Sequence, residues 1–169
     1  MQIKMDKKIF IIFHNKELID NVIESIFEIS EDVNISKKFT TDKDANEPGF
    51  YYLNQEEVNL ALKNNSLLSV VTTEYISEGI TIDDLYNNDL FFMSYKEYNM
   101  INDKIFNNNN ILTIWIDSKY NKPENYTKRE FYYEIECLEQ RLENINYEYF
   151  MDDEPQEIAS FIINSLNND

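Results

Sequence analysis

Apolar residues recur along this chain with two periods that take turns. Residues 7–13, Lys7-Lys8-Ile9-Phe10-Ile11-Ile12-Phe13, are a short β-branched and aromatic run, the composition of a strand buried on both faces. Over 17–29 the period changes. Leu18, Val22, Ile26 and Ile29 fall on one side of a helix, with Ile19, Ile23 and Phe27 beside them. Residues 34–41 read as a second strand, 42–48 as a polar loop and 49–53 as a short aromatic strand. Asn54 with Glu57 three residues on makes a capping box, which predicts a helix from there to about Lys63, stopped by Asn64-Asn65. Residues 67–73 are β-branched and strand-like, 75–79 read as a turn, and a short helix opens at Thr81 and runs through Tyr86. The alternation resumes with a strand at 89–94, a helix over 95–106 and the most apolar strand at 111–116. A long helix from Thr127 to about Asn144, a strand at 146–151 and a helix over 154–166 complete the chain. Pro155 falls in the first turn of that last helix, where a missing N–H costs nothing.

Strands alternating with helices mean βαβ units, hence an α/β protein in three layers, α/β/α, with a parallel core sheet of about five strands. Residues 49–86 break the rhythm and read as an inserted small α+β lobe on a single domain whose core is 1–48 and 87–169. Phe10, Ile12, Phe92, Leu112, Ile114 and Ile116 are the expected core, with Trp115 packed against a helix.

The 169 residues suffice for one domain with a real core, and 43% hydrophobic with 14% aromatic residues rules out a disordered chain. The net charge of −17 changes the functional picture more. A surface that acidic repels nucleic acid and anionic membranes, and it serves either solubility alone or the attraction of a basic protein partner. Cys137 is the only cysteine, so no intrachain disulfide forms; Ile135-Glu136-Cys137-Leu138 reads as a buried helix face. The apolar runs are too short to span a membrane, and no leader is read, so the expected compartment is the cytoplasm.

Candidate chemistry centres on the turn after the first strand, His14-Asn15-Lys16. A buried strand running into a helix is where α/β proteins bind phosphates, on the free N–H groups of the helix start. Such a loop needs glycines for close backbone approach, a lysine for charge and a Ser or Thr for the metal. The chain has two glycines, Gly49 and Gly79, and neither lies here. His14, the only histidine, stands at the strand's carboxyl end either as a base or as a turn residue. Asp152-Asp153-Glu154 either ligates a hard cation or sits at the start of the last helix, where acids favour the dipole. Phe131-Tyr132-Tyr133 covers too much of one helix to be wholly buried, which leaves part of it for a partner.

Four segments resemble guanylate kinase, in order and across nearly the whole chain. Thr40-Thr41, after a strand containing Ser36, is similar to the Ser-x-Thr-Thr-Arg stretch that opens that family's GMP-binding lobe. Residues 49–58, from Gly49 through Tyr51 to Glu56-Glu57-Val58, are similar to its Gly-x-x-Tyr-x-Phe-x-x-x-Glu-Glu-Phe segment. Residues 60–68 resemble the helix, Asn-Gly turn and strand that follow. Residues 147–158 resemble the closing Tyr-Asp-Tyr-x-Ile-x-Asn-Asp-x-x-x-x-Ala pattern. The resemblance implies a P-loop-kinase type of fold with GMP-contacting positions at Ser36, Thr40, Tyr51, Tyr75 and Ser77. The departures fall on the chemistry. The phosphate loop is replaced by His14-Asn15-Lys16-Glu17, Asp42 stands for the GMP-gripping arginine, and Ser69 falls near the acid that reads guanine. The Asp-x-Asp end of the third core strand becomes Phe92-Met93-Ser94. The arginine-rich lid helix keeps only Arg129 and Arg141.

The resemblance therefore implies a catalytically inactive guanylate-kinase-like protein acting as a protein-binding or regulatory module. One alternative is a nucleoside monophosphate kinase with an atypical phosphate site. The other is an acidic decoy of a nucleic-acid-binding protein. No cofactor or metal is expected, nucleotide binding is not expected, and the expected partner is a protein rather than nucleic acid or membrane.

Overall fold

The computed structural model describes residues 6–14, 16–45, 47–116, 127–143, 145–150 and 154–168. Strand β1 (Lys8–Phe13) lies inside a four-stranded parallel sheet, flanked by β6 (Leu90–Met93) and β7 (Ile111–Ile116), with β8 (Tyr147–Phe150) beyond β7. Ile11 pairs with Phe92 on one side and with Ile114 on the other. Side chains alternate across a strand, so β1 feeds two separate cores. Ile9 and Ile11 join Ile19, Val22 and Ile26 of α1 (Lys16–Ile29) and Ile158, Ala159, Ile162 and Ile163 of α7 (Pro155–Asn167). Phe10 and Ile12 face the other way, toward Tyr95 and Tyr98 of α4 (Tyr95–Asn99) and Leu138 and Leu142 of α6 (Lys128–Leu142). Trp115 belongs to that second cluster, as expected. Of the expected core residues only Leu112 is merely half-buried; it lies one residue into β7, at the end of the strand where the sheet starts.

The core sheet has four strands among the described residues rather than about five. Residues 34–41 explain the difference. Ile35 makes a single parallel bridge to Leu90 on the sheet edge, and then the chain turns away. Strand β2 (Lys38–Thr40) joins a second sheet of order β3-β2-β5-β4, although it precedes residue 49. There it pairs in parallel with β3 (Phe50–Tyr52) and antiparallel with β5 (Ser77–Thr81), which forms a hairpin with β4 (Leu67–Thr72).

Strand β5 occupies much of the segment expected as a turn. Ser77-Glu78-Gly79-Ile80-Thr81 carries one large apolar residue, so periodicity gives no strand signal. Its glycine is a packing requirement. A Cβ on Gly79 would collide with the backbone oxygen of Ser69 and approach the Phe39 ring to 2.9 Å. Two short helices complete the lobe. Helix α2 (Gln55–Lys63) has its capping box, Glu57 N–H donating to Asn54 Oδ1 at 2.8 Å. It stops where Asn65 takes φ 54°, a conformation asparagine tolerates better than most residues. Helix α3 (Ile82–Asn87) starts on Thr81, which accepts from Asp84 N–H at 3.0 Å.

The expected helix over 95–106 is two helices, α4 and α5 (Asp103–Asn108). The Asn102 side chain accepts from Lys104 N–H at 3.0 Å, and so starts a new helix inside the old pattern. Apolar residues of the lobe, Leu68, Ile80 and Leu85, belong to the same cluster as Phe10, Phe91 and Tyr98. One apolar core therefore runs from the central sheet into the lobe. Among the described residues no helix is long and apolar enough to cross a membrane.

Candidate functional site

The turn after β1 is the first candidate. His14 is half-buried, and burial pushes its pKa below the ordinary value, so the imidazole favours the neutral form. Asn15 lies outside the described residues. Lys16 is exposed and stands 3.6 Å from Glu47, so its charge already has a neighbour of opposite sign. Glu17, in the first turn of α1, complements the helix dipole in place of an external anion.

Of the five positions aligned with GMP contacts, Thr40, Tyr51 and Ser77 lie in the lobe sheet, Tyr75 in its β4–β5 turn and Ser36 beside the core sheet's edge. Ser36 donates its hydroxyl to Lys37 O at 2.9 Å while its N–H holds Leu90 O at 2.9 Å, which seats it on the core sheet's edge. Thr40 is buried, and its Oγ1 accepts from Asp42 N–H at 3.1 Å. Ser77 is tied to both neighbouring strands: its N–H donates to Thr41 Oγ1 at 2.9 Å, and its Oγ lies 3.0 Å from Thr72 Oγ1. Tyr51 donates to Asp84 Oδ2 at 2.7 Å. Burial first, and then the Asp84 carboxylate, push its phenol well above the usual range, so it stays a neutral donor. Tyr75 is 88% exposed at the β4–β5 turn.

Between lobe and core sits a polar group that the sequence reading did not single out. Lys38 of β2 donates to Glu97 Oε1 of α4 at 2.7 Å, across 59 residues of sequence. Both side chains are largely removed from solvent, at 20% and 10% exposure. The same carboxylate accepts from Ser94 N–H at 3.4 Å and so closes the capping box of α4. Glu78 of β5 stands nearby. Burial raises its pKa, Lys38 pulls it down, and Glu97, Glu47 and Asp42 push it further up. The surroundings of Glu78 are therefore strongly negative, with Lys38 as the cation acting on it. Ser94-x-x-Glu97 after an apolar strand was a legible capping signal, but nothing local pointed to Lys38 as its partner.

No family model matches the chain, and no curated protein does. Among solved structures it is similar to the guanylate kinase from Anaplasma phagocytophilum, with a TM-score of 0.58 at 14% identity, over 98% of this chain and 87% of that one. The fold is guanylate-kinase-like.

In this guanylate-kinase-like fold the chain's two arginines lead different lives. Arg141 caps α4: Nη1 donates to Asn99 O at 2.6 Å and Nη2 to Ile101 O. Its guanidinium lies 5.1 Å from the Tyr98 ring and 5.4 Å from that of Phe106, and 3.4 Å from Asp103 Oδ1. That cage pins α6 to the break between α4 and α5. Tyr98 is itself fully buried, with its hydroxyl 3.1 Å from Thr113 Oγ1, and burial pushes its phenol up to about 12. Arg129, by contrast, is exposed beside Glu130, Tyr132, Tyr133 and Glu136. Cys137 is half-buried rather than buried. The thiol faces the Tyr133 hydroxyl, whose pKa it raises. Tyr132 and Tyr133 are 59% and 67% exposed, as their excess on one helix predicts. Asp152 and Asp153 lie outside the described residues. Glu154 occupies the N-cap of α7 and makes no side-chain cap bond. No group of three or more potential ligands that could hold a metal ion occurs among the described residues.

Proposed function

We propose that this chain uses a guanylate-kinase-like fold without phosphoryl transfer, as a binding or regulatory module for a basic protein partner. The observation that carries the reading is the commitment of three of its cations. Arg141 is spent on carbonyls and rings, Lys38 on Glu97, and Lys16 stands beside Glu47. Phosphoryl transfer is almost entirely positioning and charge neutralisation, so uncommitted cations and aligned N–H groups are what it requires. The turn between β1 and α1 offers no glycine to bring backbone donors against a phosphate. Asp42, Glu47 and Glu97 all bear on Glu78 near Lys38, and a phosphate approaching the lobe there would meet repulsion.

Losing one well-placed donor typically costs an enzyme about 10²–10³-fold in rate. Losing several, with carboxylates in their place, puts transfer below assay background. The test is coupled ADP release from ATP and GMP with excess protein and magnesium, beside an authentic guanylate kinase. No turnover is expected, and none of the saturable ATP or GMP binding in an equilibrium titration that a kinase needs. Turnover of about one per second, ordinary for kinases, would overturn the reading in favour of an atypical phosphate site.

A further inference from the structure

One face of the lobe sheet gathers charge and unmet hydrogen-bonding groups against α4. Side chains alternate across a strand, so the register of the ladder fixes which residues share that face. Thr40 pairs with Glu78, which puts Lys38 and Thr40 of β2 on the side of Glu78. Ser69 of β4 pairs with Ile80, two residues beyond Glu78, and so joins them. Phe39 and Gly79 take the opposite side. Helix α4 packs against β4 and supplies Glu97, whose Oε1 accepts from Lys38 at 2.7 Å.

Two polar atoms of this group have no partner. Ser69 is 3% exposed, and no hydrogen bond reaches its Oγ. Glu97 Oε2 is buried and unbonded too, although Oε1 of the same carboxylate serves both Lys38 and Ser94. Buried polar atoms left unsatisfied destabilise a fold, a charged one most of all. The charge is unbalanced in the same place. Burial raises the pKa of Glu78, Lys38 lowers it, and the carboxylates of Glu97, Glu47 and Asp42 raise it again. Carboxylates therefore outnumber the cation acting there.

We infer that this face is a binding site for a primary alkylammonium group, which donates its N–H bonds to Glu97 Oε2, Ser69 Oγ and the Glu78 carboxylate. Ser69 and Glu78 are diagonal neighbours in the ladder. Such neighbours lie roughly 7–8 Å apart, a gap that one nitrogen bridges with hydrogen bonds of about 2.9 Å. The surplus of negative charge selects a cation. The described residues hold no group of three or more potential metal ligands, so the cation brings its own N–H donors. Only one oxygen of Glu97 is unbonded, which denies a guanidinium its two-pronged grip. An ammonium, a compact charge with three diverging donors, asks only for single acceptors. Glu78 keeps part of its surface in solvent, and the approach lies on its side. The ammonium belongs either to a free amine or to a lysine side chain of a partner protein.

This inference rests on the binding-module reading, and the two fail separately. Phosphate transfer in the assay above, with the amine still bound, sinks that reading alone. Absence of both sinks the site alone. The full chain is titrated with n-butylammonium chloride and followed by amide chemical shifts. Saturation in roughly the millimolar range is expected, with shifts concentrated at Lys38, Ser69, Glu78 and Glu97. Tetramethylammonium, a cation with no N–H to donate, should not saturate. Ser69→Ala removes the unpartnered hydroxyl and adds no atom. It should weaken binding about threefold or more, with a melting temperature equal to the parent's or higher. Glu78→Gln should weaken binding by a similar factor. Glu28→Gln on α1 makes the same change in net charge and should cost less than about 1.5-fold. N-acetylputrescine and an uncharged glycine peptide with one central lysine carry the same ammonium on the same stem. Tighter binding of the first supports a free amine as the occupant, and tighter binding of the second a partner's lysine. No saturation by n-butylammonium would overturn the proposal. So would an equal response to tetramethylammonium, unchanged affinity in Ser69→Ala, or equal losses from Glu28→Gln and Glu78→Gln.

Discussion

In the core sheet, β1 buries Ile9, Phe10, Ile11 and Ile12 completely, its one buried polar residue being Lys8, which donates to Asn88 O at 2.6 Å, whereas the lobe sheet adds hydroxyls and charges to its apolar contacts. There Thr41 holds Ser77, Ser77 meets Thr72, Tyr51 reaches Asp84 and Lys38 reaches Glu97. Apolar burial is non-directional and tolerates almost any sequence of the right size. A polar network demands particular partners at particular places, and left half-satisfied it destabilises. The comparison explains how a chain only 14% identical to a guanylate kinase keeps the fold. The central sheet needs only its pattern. The lobe, where polar groups sit close together, satisfies several of them on one another.

The largest effect should come from breaking the apolar side. Ile114 is wholly buried at the centre of β7, against Ile11. Ile114→Ala should cost about 2–5 kcal/mol in a denaturant titration, the usual range for such a truncation. A loss under about 0.5 kcal/mol would mean the core sheet is not where the stability lies.

A smaller effect tests the charged side. Glu97→Gln keeps a residue that can close the capping box with Ser94 but removes the charge that meets Lys38. Each of Glu97→Gln and Lys38→Met should cost about 2–3 kcal/mol, below the 3–5 of a fully buried pair because Lys38 keeps some solvent. The double variant should recover about 0.5–3 kcal/mol of their sum, since the singles each strand one buried charge. Additivity to within about 0.3–0.5 kcal/mol would show two independent sites and no ionic tie between lobe and core.

Sequence reading succeeded where the signal was local. The β-branched runs of β1 and β7, the box at Asn54–Glu57 and Pro155 in the first turn of α7 all act within a few residues, and all four stand as read. It failed where a distant group decides. β5 reads as a turn because its strand character comes from β2 and β4 on either side, with Gly79 admitted by the Ser69 backbone. The helix over 95–106 splits because Asn102 caps α5 and Arg141, some forty residues on, takes the carbonyls of Asn99 and Ile101. The expected fifth core strand is lost because residues 34–41 serve two sheets in turn. The pair that ties lobe to core, Lys38 and Glu97, is written in two segments that carry no common motif.

The smallest effect sharpens the comparison at its most crowded point, Glu78. Its carboxyl is half-buried, and burial raises its pKa more than Lys38 lowers it, while Glu97, Glu47 and Asp42 add to the rise. Over pH values between the ordinary 4.5 and the raised native value, the folded chain binds more proton at this site than the unfolded chain does. Stability contributed by Glu78 therefore falls as pH climbs through that window, and the penalty is complete above it. Removing the charge should relieve the penalty. Glu78→Gln is expected to raise the melting temperature at pH 7 and to leave it unchanged below pH 4.5, where the parent carboxyl is protonated in both states. The side chain keeps much of its solvent, so screening holds the gain to about 1 °C. Melting curves of parent and variant across that pH range give the sign directly. A lower melting temperature for the variant at pH 7 would mean that Glu78 gains more from Lys38 than it loses to its acidic neighbours, and that the lobe carries two ion pairs on one lysine.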